Sequence, residues 1–180
     1  LAQIVASGPT NRWAPTGYMF FKAISGAKRR VWLQTPYFLP GDDLLKALQC
    51  AALSGVDVRV MVPRKSDSAI LTYASNSFVE DCLLAGIKVL FFRPGMLHSK
   101  LLIIDDDFST LGSTNFDYRS FEHNFEENIV MYSAEANALL ASLYADDEKG
   151  CDRIRLSQWN TRPRREKMRE SLCRLLSPIL

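Results

Sequence analysis

The stretch from His98 to Asn115, HSKLLIIDDDFSTLGSTN, restricts the possible folds more than any other part of this chain. Leu101-Leu102-Ile103-Ile104 is a four-residue apolar run closed at both ends by polar residues, the pattern of a short buried strand. Asp105-Asp106-Asp107 follows as a turn, and a second short apolar run leads to Gly112. Two adjacent strands split by so short a turn form a hairpin, so any sheet that contains them has antiparallel members. Side chains on a strand repeat every second residue, which places His98 and Lys100 on one face.

The rest of the chain alternates strand and helix signals. Strands are expected at Gln3–Ala6, Val31–Thr35, Val56–Val62, Ile87–Phe92 and Asn128–Tyr132. Helices are expected from Pro15 to Ala27, from Gly41 to Ser54 with Gly55 as a left-handed stop, from an Asp67 cap to Ala85, and over Ala134–Asp147. This order predicts an α/β domain with a mixed, largely parallel central sheet flanked by helices on both faces. In such sheets sites gather beyond the strand ends. Thr35–Pro40 and Pro63–Asp67 are therefore expected as walls. We assign residues 1–150 to this domain and residues 151–180 to a basic amphipathic C-terminal segment.

The chemistry sits beside the hairpin. His98 brings an imidazole that titrates near neutrality, and Lys100 a fixed ammonium two residues on. Gly112-Ser113-x-Asn115 adds a tight backbone, a hydroxyl and an amide with two N–H groups. A nucleophilic or acid–base group next to anion-binding donors points to phosphoryl chemistry. We read His98 as the nucleophile, and Lys100, Ser113 and Asn115 as phosphate-binding groups. Asp105 has two readings, holding the turn or acting in catalysis. Glu126 is the candidate carboxylate for the far imidazole nitrogen, with Glu127 as its rival. Asp117 and Arg119 are expected in a structural ion pair or around the phosphate, and His123 in a structural role. The acidic clusters Asp105–Asp107 and Asp146–Glu148 fit turn and helix-end solvation, so no metal is expected.

H-x-K-x4-D-x6-G-S-x-N, here His98, Lys100, Asp105, Gly112, Ser113 and Asn115, resembles the HKD motif of the phospholipase D superfamily. Thr35–Pro40, Gly55–Arg59, Gly112–Phe121 and the Ser177–Leu180 ending are similar to the second half of bacterial cardiolipin synthases. That resemblance implies phosphatidyl transfer between two phosphatidylglycerol molecules through a phosphohistidine, without metal or organic cofactor. It implies that Lys and Asn of two motifs hold the phosphate oxygens while one His attacks and the other exchanges protons. It leaves His98 in either role, and it supports an acidic residue at Glu126. This chain carries one motif, so the missing N-terminal HKD half or a second copy is the expected partner. The alternatives are a single-motif phosphodiesterase or nuclease acting as a homodimer, and an inactive half-site module that completes a partner.

Charge separates these readings. Residues 151–180 hold 8 Lys+Arg against 3 Asp+Glu, leaving 14 against 17 for the rest. A nuclease needs a basic groove beside His98, and an acidic body disfavours nucleic acid as a partner. The tail from Trp159 to Leu180 sets Met168, Leu172, Leu175, Leu176 and Ile179 on one helical face among arginines. Such a pattern suits an anionic membrane surface or docking on the domain. No apolar run reaches the roughly 20 residues of a bilayer span. The four cysteines lack a C-x-x-C pair and are expected reduced. The Leu-Ala-Gln-Ile-Val start is expected to be a fragment boundary. The resemblance places the whole protein at the cytoplasmic face of the bacterial cell membrane.

Overall fold

The computed structural model describes all residues from 1 to 180. Eight strands form one sheet. In chain order they are β1 (Ala2–Ser7), β2 (Arg30–Gln34), β4 (Asp57–Pro63), β5 (Lys88–Phe92), β6 (Leu101–Ile104), β7 (Phe108–Gly112), β9 (Glu126–Tyr132) and β10 (Cys151–Arg153). The spatial order is β1-β9-β7-β6-β2-β4-β5-β10. Two further strands, β3 (Phe38–Leu39) and β8 (Phe116–Asp117), pair in parallel as a separate ribbon.

The α/β class and the mixed sheet match expectation, and the balance of directions differs from it. Only β2-β4 and β4-β5 pair in parallel; the other five pairings of the large sheet are antiparallel. Helical crossovers impose parallel pairing on the N-terminal half, through α2 (Asp42–Leu53) and through α3 (Ala69–Asn76) with α4 (Val79–Leu84). The hairpin β6–β7 then reverses the direction, and β9 and β1 extend that antiparallel side.

Period-two alternation divides the apolar residues between two layers. Val60, Val62, Leu102 and Ile104 face a core of 27 buried residues that includes Phe20 and Ile24 of α1 (Pro15–Gly26) and Leu48 of α2. Met61, Leu101 and Ile103 face Ala141 and Tyr144 of α6 (Ala134–Glu148) on the other side. Helices therefore cover both faces. Gly55 and Gly86 take φ of +91° and +86° where α2 and α4 end, the left-handed conformation a helix stop requires.

Three local expectations change. The helix expected from Asp67 to Ala85 is broken into α3 and α4 at Ser77, whose hydroxyl donates to the Ala74 carbonyl at 2.6 Å and competes with the helical ladder. Asp67 does not cap it, since its carboxylate accepts from Tyr37 Oη at 2.9 Å and Ser66 Oγ at 2.8 Å. The basic segment is not one helix, because Pro163 separates α7 (Leu156–Asn160) from α8 (Arg164–Arg174), and a 3-10 turn (Ser177–Ile179) follows. Within that segment β10 closes the sheet edge and Trp159 of α7 enters the larger core.

Asp57 lies at the start of β4 and binds Lys88 Nζ at 2.5 Å, Arg59 Nε at 2.9 Å and Trp32 Nε1 at 3.1 Å. Burial alone would raise its pKa, yet these donors hold it at about 2, below the ordinary 3.8. A carboxyl depressed by folding stabilises fully above the unfolded value and loses that contribution as pH falls toward the folded one. The chain should therefore lose stability between about pH 3.8 and about 2. An Asp57→Asn variant should be less stable at neutral pH and should show a flatter acid limb in urea titrations across that window.

Candidate active site

His98, Ser99 and Lys100 form the coil that enters β6. Ser99 points away from the other two, its hydroxyl donating to Gln34 Oε1 at 2.9 Å. Gln34 is fixed in turn by donation to Asp147 Oδ2 of α6 at 2.8 Å. That chain of contacts turns His98 and Lys100 to the opposite face, as strand alternation requires. Lys100 Nζ lies 3.0 Å from His98 Nδ1 and donates to the His98 carbonyl at 2.9 Å.

The Gly-Ser-Thr-Asn element is set against β9 by a close backbone approach. A Cβ on Gly112 would stand 2.2 Å from the Glu127 carbonyl oxygen and 2.7 Å from Asn128 Cα, so only glycine fits. The Ser113 amide donates to Glu127 O at 3.0 Å, and the Gly112 amide donates to Lys100 O at 3.3 Å. Fully buried Asn128 locks the turn from below: Oδ1 accepts from Thr114 Oγ1 at 2.6 Å, and Nδ2 donates to Thr110 Oγ1 at 3.2 Å.

Glu126, 8% exposed, takes the Ser113 hydroxyl on Oε2 and Asn124 Nδ2 on Oε1 at 3.1 Å. Glu126 was expected at the imidazole; in this structure its partners are Ser113 and Asn124, and the side chain bonded to His98 Nδ1 is Lys100. Burial lowers the Lys100 ammonium from its usual value, against the pull of the Glu126 and Asp117 carboxylates. Asn115 Oδ1 is buried without a partner. A buried amide left unpaired is costly, and an incoming donor would relieve it.

The remaining candidates separate cleanly. Asp105 lies at the far end of β6 from His98, with φ of +48°. Its carboxylate accepts from the backbone N–H groups of Lys28 at 2.9 Å, Arg29 at 2.7 Å and Arg30 at 3.0 Å. Burial would raise its pKa, and these amides bring it below the usual carboxylate value. Its catalytic reading is thereby replaced by the structural one. Asp117 accepts from the Ser120 amide at 2.7 Å and caps α5 (Tyr118–Glu122), its pKa raised by burial. His123 is exposed, with its ring against Tyr118. Asp106 pairs with Arg29, Asp146 with Lys149 and Asp147 with Gln34, which accounts for most of the acidic clusters.

The two expected walls are joined. Tyr37 Oη donates to Asp67, and burial together with that carboxylate raises the phenol to about 12. Thr35 Oγ1 accepts from the Phe116 amide at 3.0 Å, and the Phe38 and Phe116 rings stack 5.6 Å apart. A groove of about 620 Å³ runs from His98 and Lys100 past Met96 and Leu111 to Leu140 and Leu143 of α6. Gln34 and Asn128 are the positioning residues that sequence reasoning missed. Polar residues at apolar strand positions were the available signal.

This fold with a His–Lys pair at a strand entrance defines a phospholipase D-like domain. Nuc, a phospholipase D family member from Salmonella typhimurium, superposes with a TM-score of 0.73 at 19% identity, over 86% of this chain and 99% of that one. Phosphatidylserine synthase of Haemophilus influenzae superposes with a TM-score of 0.77 at 15% identity, over the whole chain and 48% of that protein. The family described as cardiolipin synthase, PLD-like domain, matches residues 20–147. The cardiolipin synthase of Halalkalibacterium halodurans is 42% identical over 178 residues, and the major cardiolipin synthase of Bacillus subtilis is 40% identical over the same length. These matches cover 99% of this chain but 35% and 37% of the two relatives, so the chain spans little more than a third of their length. The chain belongs to the cardiolipin synthase PLD-like domain family.

Gly112→Ala should destabilise the chain by about 1–3 kcal/mol, because its methyl meets backbone that cannot retreat. Thermal melts measure this. Ser113→Ala, which removes the hydroxyl that donates to buried Glu126 but meets no backbone, should lower the melting temperature less than Gly112→Ala.

Proposed function

We propose that this chain is the C-terminal catalytic half of a cardiolipin synthase, transferring a phosphatidyl group between two phosphatidylglycerol molecules through a phosphohistidine. The observation that carries this reading is the His98–Lys100 pair, with the Glu126–Ser113 contact beside it and the Glu126 carboxylate acting on the Lys100 ammonium. The 42% identity with a cardiolipin synthase supports the lipid substrate. The complementary half is the relative's other HKD motif or a second copy of this chain.

The chemistry follows from the geometry. While Lys100 donates to His98 Nδ1, that nitrogen carries the lone pair and Nε2 carries the proton. Attack from Nε2 needs the opposite tautomer, so the ammonium must leave the ring. A phosphodiester oxyanion draws it away, a better partner for a cation than a neutral imidazole. Asn115 turns its amide N–H groups to the same oxygens. One imidazole of the completed site then forms a P–N bond as the P–O bond to glycerol breaks, and the other imidazole protonates the leaving oxygen. The second imidazole next takes the proton of the incoming phosphatidylglycerol hydroxyl. That oxygen attacks phosphorus and the P–N bond breaks. Glu126 acts through Ser113 and the local field on Lys100. The reading places the active protein at the cytoplasmic face of the cell membrane, where phosphatidylglycerol is available.

The alternative of a homodimeric nuclease is less well supported. Nuc matches this chain in fold at only 19% identity, and residues 1–150 carry a net negative charge.

Mass spectrometry after incubation with phosphatidylglycerol vesicles tests the proposal. A phosphatidyl adduct on His98, absent in His98→Ala, identifies the nucleophile and shows two copies complementing each other. An adduct on the other half, seen only when that half is supplied, assigns His98 to proton exchange. Neither adduct nor cardiolipin with both halves present overturns the reading. Lys100→Ala should lower turnover by about 10²–10³-fold, the loss expected for one preorganised charge-stabilising donor.

A further inference from the structure

The C-terminal helix is docked the wrong way round for a helix that belongs only to a core. Met168 and Leu172 sit four residues apart on one side of α8, and Leu175 and Leu176, just past its end, and Ile179 of the following turn continue the line at three- and four-residue spacing. All five are exposed, Leu172 at 59% and Leu175 at 76%. The side packed on the domain is the polar one. Glu170, two residues and so about 200° around from Met168, is 5% exposed and pairs with Arg162. Arg174 pairs with Asp81 at 2.7 Å and covers the Phe78 ring at 4.3 Å. These contacts fix α8 against α3 and α4 and turn its apolar stripe outward.

Cations border that stripe on both sides. Arg164, Arg165 and Arg169 are exposed, and none is ion-paired. Arg169 reaches Tyr73 Oη of α3 at 3.5 Å, while the Arg164 and Arg165 guanidinium groups are free to reach outward; long arginine stems beside an apolar band match the headgroup–acyl boundary of an anionic lipid layer. The basic excess of the chain is concentrated in this segment while the remainder is net acidic, so the charge complementarity is directional. A protein partner would need carboxylates spaced around an apolar groove, whereas an anionic membrane supplies both features at once.

We propose that Arg164–Ile179 is an interfacial element that lies on an anionic membrane, apolar stripe inward, with α3 and α4 holding it by its polar side. The element orients the domain on the membrane that holds its substrate, and does so independently of phosphatidyl transfer. The 3-10 turn at its end also touches α5, directly after the Asn115–Asp117 wall of the site. The surface that meets lipid is thereby coupled to the site through one layer of structure.

Co-sedimentation of the full chain tests this, using vesicles of phosphatidylcholine alone and vesicles half phosphatidylglycerol. Binding should be confined to the anionic vesicles and weaken with added salt. Leu172→Ser with Leu175→Ser should lower partitioning at least about tenfold. Replacing Arg164, Arg165 and Arg169 by Gln should lower it about 10²-fold on anionic vesicles. Both variants should keep the wild-type melting temperature, since they alter exposed side chains. His98→Ala should bind vesicles like the wild type while losing turnover, which separates this proposal from the catalytic one. Equal partitioning of the wild type and the leucine variant overturns the proposal. So does a leucine variant that changes only the sedimentation mass of the free protein, which would assign the stripe to a second copy.

Discussion

The contact on which the site depends is the approach of Gly112 to the backbone of β9. Pressing β7 this close to Glu127 and Asn128 brings Ser113 within reach of Glu126 and places the Thr114 hydroxyl on Asn128. It also sets Gly112 N on the carbonyl of Lys100, which ties the Gly-Ser-Thr-Asn turn to the His–Lys strand. Three elements separated in sequence thus share one end of the sheet. A side chain at residue 112 would push them apart before any catalytic group had been touched.

Fixed points at the opposite end of β6 make this registration possible. Asp105 gathers three consecutive backbone amides of the Lys28–Arg30 loop, while the Arg30 side chain returns a bond to the Asp105 carbonyl. β6 is therefore anchored to β2 at its Asp105 end, and at its His98 end through Ser99 and Gln34. In the motif, the spacing from His98 to Asp105 spans a strand held at both ends. Asp105, the third letter of the motif, holds that strand in place.

Period-two runs, helix caps and glycine stops made the elements legible, and the motif made the site legible as a cluster. What escaped the sequence depended on long-range pairing. Strand direction cannot be read from apolar runs, which look alike in parallel and antiparallel neighbours, so the weight of the antiparallel side went unseen. β10 is three residues of Cys-Asp-Arg, too short and polar to carry a pattern, and only its pairing with β5 makes it a strand. The Ser113 and Asn124 contacts of Glu126 escaped for a related reason. Sequence places a carboxylate near the motif, but the bond it makes depends on whether Ser113 or the imidazole is closer. Asn128 and Gln34 look like interruptions in apolar strands until their partners, from 14 to 113 residues away along the chain, come into view.

The arrangement of charge gives the domain a direction. Its body is acidic, yet the reactive corner needs a cation at Lys100, and the structure supplies one lowered by burial and steadied by Glu126 and Asp117. The positive charge of the chain is concentrated instead in its C-terminal segment, and α8 carries most of it. Burying the polar side of α8 through Glu170–Arg162 and Arg174–Asp81 engages Glu170 and Asp81 and leaves Arg164 and Arg165 without an ion pair. The same ion pairs that dock the helix therefore create the basic, apolar surface it presents.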